Sequence, residues 1–183
     1  VILASLAFGM PLQFDKVFTE GISKIAPEDV SYAQELGYRI KHLGIAKQTA
    51  QGIELRVHPT MIPEKRLIAN VDGVMNAVLV KGDAVGPTLY YGAGAGAEPT
   101  ASAVVADIVD LARNINTAYA SRVPALGFHP HSQNQNPRIL SMDDVETAYY
   151  LRLLAEDRPG VLAQISTILA EANISVEALI QKE

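Results

Sequence analysis

One short run, Gly92-Ala93-Gly94-Ala95-Gly96, constrains this chain more than any other segment. Alternate glycines lower both helix and strand propensity, so a regular element has to stop on one side and start again on the other. Before the run, residues 88–91 are apolar and read as a strand. After it comes a long amphipathic stretch reaching about Thr117. On a helical wheel Val104, Val105, Ile108, Val109, Leu111, Ala112 and Ile115 fill one arc, and Asp107, Asp110, Arg113, Asn114 and Thr117 the other. A strand, a glycine loop and a helix in this order place bare backbone N–H groups at the positive end of the helix, where phosphate binds well. Thr100 and Ser102 add hydroxyls nearby. The run reads G-x-G-x-G-A and not the dinucleotide fingerprint G-x-G-x-x-G, and no acidic residue follows about 20 positions later at the end of a second strand. Spacing therefore leaves two readings open: contact with a phosphate or nucleotide, or a flexible turn where helix and sheet pack closely.

The rest of the chain alternates short apolar segments with turn residues. An apolar opening, Val1 to Phe8, reads as the interior of a helix ended by Gly9 and Pro11, with no capping residue before it. Val17-Phe18 and Gly21-Ile22 read as strand. Pro27-Glu28-Asp29 opens a helix whose apolar face is Val30, Ala33 and Leu36 and which stops at Gly37. Ala26 offers no capping oxygen to that helix, a loss of about 1 kcal/mol against Ser or Thr. Residues 38–46 and the strictly alternating 53–57 read as an antiparallel hairpin turned at Ala50-Gln51-Gly52. Pro59 and Pro63 bracket a loop, and 74–80 forms a third strand before a turn at Lys81-Gly82-Asp83. Residues 121–142 carry Pro124, Gly127, Pro130, Pro137 and a Gln/Asn run, and read as a linker. A strand at 148–155, a turn at Asp157-Arg158-Pro159-Gly160, a helix at 161–172, a left-handed cap at Asn173 and a strand at 174–180 complete a βαβ piece. That piece is too small to be stable alone, so it has to pack on something.

Composition narrows the function. Hydrophobic residues are 49% and charged residues 19% of 183, enough apolar matter for a packed core. The net charge of −5 opposes a nucleic-acid or anionic-membrane partner. With no cysteine, disulfides and thiolate chemistry are excluded. No apolar run reaches the roughly 18 residues of a membrane span, and the start has no basic signal region, so a soluble cytoplasmic protein is expected. Both ends stop inside apparent elements, which suggests a piece of a larger protein. His129-Pro130-His131 lacks a third metal ligand, and Asp143-Asp144 with Glu146 reads as an exposed acidic helix start, so no metal site is expected. His42 and His58 read as hydrogen-bonded strand residues. Lys24, Lys41, Lys47 and Lys65 are scattered, and the residues alone assemble no catalytic constellation.

Taken as a set, several stretches resemble a known family. Gly21-Ile22-Ser23-Lys24-Ile25 with Asp29-Val30, Leu36-Gly37-Tyr38-Arg39-Ile40-Lys41, Val71-Asp72-Gly73-Val74-Met75-Asn76-Ala77-Val78, Gly82-Asp83 and the whole of Tyr90-Tyr91-Gly92 through Ala106-Asp107 closely resemble bacterial homoserine dehydrogenases. The turn Asp157-Arg158-Pro159-Gly160-Val161-Leu162, with the helix after it and Asn173-Ile174-Ser175-Val176-Glu177, resembles the first half of an ACT domain. The resemblance implies an NAD(P)-dependent oxidoreductase that interconverts L-aspartate 4-semialdehyde and L-homoserine in threonine and methionine biosynthesis. It implies an N-terminal Rossmann domain and a catalytic lysine on a G-x-D-x-x-x-K stretch, neither of which this sequence contains. The catalytic residues are thus expected upstream of Val1, none within the chain, and the fragment alone is expected to be inactive. By the same resemblance Gly92, Gly94, Gly96, Glu98 and Thr100 lie near the NADP or NAD cofactor. Asp157, Arg158 and Gly160 match the turn where such units bind a regulatory amino acid, L-threonine being the implied effector. Family members associate, so a homodimer or higher homo-oligomer is implied.

The expected fold class is α+β: a mixed, largely antiparallel sheet covered by helices, plus a partial ACT-like βαβ unit. The expected domains are 1–120, a truncated substrate and dimerisation domain; 121–145, a linker; and 146–183, the partial ACT unit. The rival reading is a non-catalytic amino-acid-sensing module whose first domain merely supports the ACT unit.

Overall fold

The computed structural model describes residues 1–118 and 121–182. Its elements are α1 (Ile2–Phe8), β1 (Phe18–Thr19), α2 (Pro27–Glu35), β2 (Tyr38–Gln48), β3 (Ile53–Pro63), β4 (Met75–Gly82), β5 (Gly86–Ala93), α3 (Ala97–Asn114) and α4 (Val161–Glu171). The α+β class holds, with mostly antiparallel strands in two separate sheets. One has the order β1-β3-β2, with β2 antiparallel and β1 parallel to β3; the other is the β4–β5 hairpin.

The β2–β3 hairpin is the centre of the first region. Its eleven paired positions run from Tyr38 opposite Pro63 to Gln48 opposite Ile53. The turn is closed by Thr49, whose N–H donates to Gly52 O at 2.8 Å and whose hydroxyl accepts from the Gln51 and Gly52 N–H groups. Helix α1 ends on Gly9 at φ 58°, a left-handed cap. It lays Ala4 against Ile53 and Leu55 beside the fully buried Met10, with Phe8, Val17 and Ile139 packed around them. This is the hydrophobic core.

Three readings from the sequence need correction, whereas the helix read at the start is present as α1, with Val1 O accepting from Ser5 N–H at 3.0 Å. Residues 59–63 are not a loop: β3 continues to Pro63, with Pro59 opposite His42. Since β1 pairs only with Arg56 and Val57, β3 is an edge strand beyond them, and an edge tolerates a missing N–H. Ile22 belongs to a 3-10 turn, Ile22–Lys24, instead of a strand. Residues 148–155 and 174–180 form no ladder, because no strand among the described residues lies beside them to accept their hydrogen bonds. The αL cap at Asn173 is present at φ 58°.

The stretch at 121–145 contains short turns and also packs on the first region. Asn134 N–H donates to Gly9 O at 2.8 Å. Ile53 donates to Arg138 O at 2.8 Å and accepts from Leu140 N–H at 2.9 Å, a parallel bridge to Ile139. Leu140 and Val145 are buried. Gly52 is required here: it has φ +155°, and an added Cβ would stand 2.6 Å from Arg138 O. By contrast, α3 and the β4–β5 hairpin expose much of their apolar surface, including Val104, Ile108 and Leu111 on the helix and Tyr90 and Tyr91 on the strand.

Candidate functional site

The glycine run ends β5 and leads into α3, as its composition requires. Gly96 is the N-cap of α3 at φ 132°, a conformation that strains any side chain. A Cβ at Gly94 would collide with the Asn76 amide nitrogen and stand 2.9 Å from its Cγ. Close approach to β4 thus explains Gly94, and backbone conformation explains Gly96. A Cβ at Gly92 would meet nothing within 4 Å. Glu98 lies in the first turn of α3, where a carboxylate suits the helix dipole, and the Thr100 N–H donates to Gly96 O at 3.1 Å. No side chain caps α3. The structure therefore gathers Gly92, Gly94, Gly96, Glu98 and Thr100 at one exposed corner, at the start of a helix that no side chain caps.

In the C-terminal unit Gly160 is the N-cap of α4 at φ 93°, and its carbonyl accepts from Gln164 N–H at 3.0 Å. Arg158 Nε pairs with Glu156 Oε2 at 3.0 Å. Asp157 is exposed beside them. His129 and His131 stack with ring centroids 5.4 Å apart. Among the described residues, no group of three or more metal-ligating side chains occurs. Lys24, Lys41, Lys47 and Lys182 each pair with a carboxylate.

Sequence reasoning missed three polar clusters. In β3, Glu54, Arg56 and His58 share one face, as positions i, i+2 and i+4 must. Glu54 is only 3% exposed, yet it carries a charge. Its two oxygens face Lys47 Nζ and Arg56 Nη2, each at 3.1 Å. Arg56 Nη1 donates to His58 Nε2 at 3.0 Å, and His58 Nδ1 donates to Pro59 O at 2.8 Å; these partners require a neutral ring. A second cluster joins Lys41 and Arg39 to Asp72 at 2.6 and 3.2 Å. The hydrogen bond from Lys41 holds the Asp72 carboxyl below its ordinary range. The third centres on Asp29 at the start of α2. Asp29 Oδ2 accepts the Ala26 N–H at 2.9 Å, the half of a capping box that does not need a side-chain oxygen at Ala26. Asp29 Oδ1 accepts from Tyr150 Oη at 2.9 Å and Arg152 Nε at 2.6 Å. Chiefly through the Ala26 N–H, and then through Tyr150 and Arg152, its pKa falls despite burial.

Fold, loop and C-terminal turn define a class first: an α+β domain with a glycine loop at the head of a long helix, joined to a small unit of ACT type. A family model described as homoserine dehydrogenase matches residues 1–109, and one described as ACT domain matches residues 149–183. The chain belongs to the homoserine dehydrogenase family. The homoserine dehydrogenase of Pseudomonas aeruginosa is 63% identical over 182 residues, covering 100% of this chain and 42% of that protein. That of Neisseria gonorrhoeae is 61% identical over 181 residues, covering 99% and 41%. The crystal structure of a homoserine dehydrogenase from Thiobacillus denitrificans, 65% identical, superposes with a TM-score of 0.91 over 99% of this chain and 42% of that one. The chain thus spans about two-fifths of the length of the relatives it matches.

Proposed function

We propose that this chain is the substrate-domain and regulatory part of an enzyme that interconverts L-aspartate 4-semialdehyde and L-homoserine with NAD or NADP. The reaction lies on the cytoplasmic route to threonine and methionine. The observation that carries this reading is the 65% identity and TM-score of 0.91 to a solved homoserine dehydrogenase across 99% of the chain. The glycine corner supports it. Uncapped donors at the head of α3, with Gly92 open to solvent, fit a cofactor lying across Gly92, Gly94, Gly96, Glu98 and Thr100. A nicotinamide bound there supplies or takes up the hydride. This chain's own residues contribute close backbone approach at that corner and a rigid sheet behind it.

In the same reading, residues 1–120 form the substrate and dimerisation domain, 121–145 connect, and 146–183 begin the ACT unit, whose Asp157, Arg158 and Gly160 receive L-threonine as feedback effector. The exposed apolar side chains of α3 and β5 support burial against a further surface, such as a second copy of the chain. The 183 residues by themselves carry neither a G-x-D-x-x-x-K run nor a G-x-G-x-x-G fingerprint, and alone they do not turn over. The catalytic lysine is assigned to the part of the full-length protein that precedes Val1. The test is NADPH oxidation with L-aspartate 4-semialdehyde. The full-length protein is expected to be active and the isolated chain silent. A silent full-length protein overturns the assignment, and an active isolated chain overturns the division of labour.

A further inference from the structure

Helix α2 carries Asp29, Tyr32 and Glu35 at positions i, i+3 and i+6, which place them along a single stripe. Two distant parts of the C-terminal unit fasten to that stripe. Tyr150 and Arg152, on the run that enters the unit, both donate to Asp29 Oδ1. Some thirty positions on, beyond α4, Lys182 Nζ stands 2.5 Å from Glu35 Oε2 and 5.3 Å from the centroid of the Tyr32 ring. Tyr150 and Arg152 alternate correctly for an extended segment, two residues apart and on the same side.

The anchor is unequal along its length. Glu35 and Lys182 are half exposed, so their pair is screened by water. Asp29 is 6% exposed, so its two incoming donors act on a largely desolvated carboxylate. Burial and the adjacent Asp29 push the Tyr150 phenol up to about 12, which keeps its proton in place as the donor. The same carboxylate also holds the first turn of α2 through Ala26. From its other end α2 passes through Gly37, at φ 80°, straight into β2. There Glu64 N–H donates to Gly37 O at 2.9 Å, and Arg39 and Lys41 hold Asp72. A movement of the C-terminal unit therefore reaches the sheet through one short, well-fastened helix.

We propose that α2 is the coupling element between the ACT unit and the sheet domain, and that the Asp29–Tyr150–Arg152 clasp is the contact whose making and breaking the regulatory amino acid controls. This inference rests on the regulatory part of the proposed function. Coupling of this kind requires a contact that differs between two states, and the clasp is the one that ties the buried charge on α2 to the moving unit.

The test is a Tyr150→Phe/Arg152→Gln variant of the full-length protein, with L-threonine as probe. Neither residue belongs to the proposed cofactor corner or to the effector turn. Activity without L-threonine should stay within twofold of the parent, and calorimetry should still detect L-threonine binding. The concentration giving half inhibition should rise at least fivefold, within the usual span of allosteric couplings. In the parent, L-threonine should change amide hydrogen exchange across residues 29–35, and in the variant it should not. An inhibition curve that superposes on the parent's overturns the coupling role. If L-threonine neither binds nor inhibits the parent, the regulatory reading itself falls. The clasp is then judged by exchange alone: α2 amides exchanging at the same rate in variant and parent overturn it, and faster exchange in the variant supports it.

Discussion

Replacement of Glu54 by Gln tests how the centre of the sheet is held. Glu54 is 3% exposed and Arg56 nearly as buried, whereas Lys47 is 57% exposed. The substitution keeps the shape and removes the charge. Lys47 then loses only a screened surface partner, a contribution of about 1 kcal/mol or less. Arg56 is left buried beside His58, a neutral group, and its Nε already has no partner. Removing one member of a buried pair costs about 3–5 kcal/mol, mostly for the charge left behind. At roughly 2–4 °C per kcal/mol for a domain of this size, Glu54→Gln should lower the melting temperature by about 6–20 °C. The double variant Glu54→Gln/Arg56→Met removes the stranded charge too, so it should melt above the single one. The measurement is thermal unfolding of the full-length protein by circular dichroism at pH 7, with Arg56→Met closing the double-mutant cycle. A shift smaller than about 2 °C for Glu54→Gln, or a double variant less stable than the single, would refute the claim that Glu54 exists to neutralise Arg56.

Asp29→Asn should lower stability at neutral pH. Because the folded carboxyl titrates below its ordinary value of 3.8, that contribution is complete above this value and is lost as pH falls through the lower folded one. Melting temperatures of Asp29→Asn and parent should therefore differ by a constant amount from pH 6 to 8 and converge in acid, below about pH 4. Gly94→Ala should cost at most about 1 kcal/mol, because the exposed Asn76 side chain it meets can turn aside, and the added change Asn76→Ala should recover that cost. Gly92→Ala should be silent in the same melt, within about 0.5 kcal/mol, because its Cβ meets open space. Met10→Ala should cost about 2–5 kcal/mol by urea titration, since Met10 is fully buried against α1 and β3.

Local pattern was enough for the elements and not for their surroundings. The alternation of Ile53, Glu54, Leu55, Arg56 and Val57 correctly gave a strand in a hairpin. That pattern put Glu54 and Arg56 on one face without showing that both are buried, because alternation tells which residues share a face but not whether that face is dry. The apolar arc of α3 was read correctly as an amphipathic helix, yet that arc is exposed in this chain. Pro59 looked like a breaker, since an edge position in a sheet is a tertiary fact. The glycine corner was legible because Gly94 and Gly96 answer to near neighbours and to backbone angles. The clasp was not, since Asp29 meets Tyr150 and Arg152 across more than a hundred residues of chain. The one local hint was an acidic residue at the third helical position after an N-cap that has no oxygen.

The return of residues 134–140 onto Gly9 and Ile53 bears on how such proteins can be recombined. A chimera that exchanges sensing halves between relatives has its natural seam after Val145, where the last buried side chain of that stretch has been delivered. A junction set earlier, among the prolines and glutamines that look like a spacer, would graft a foreign plank into the recipient's own floor.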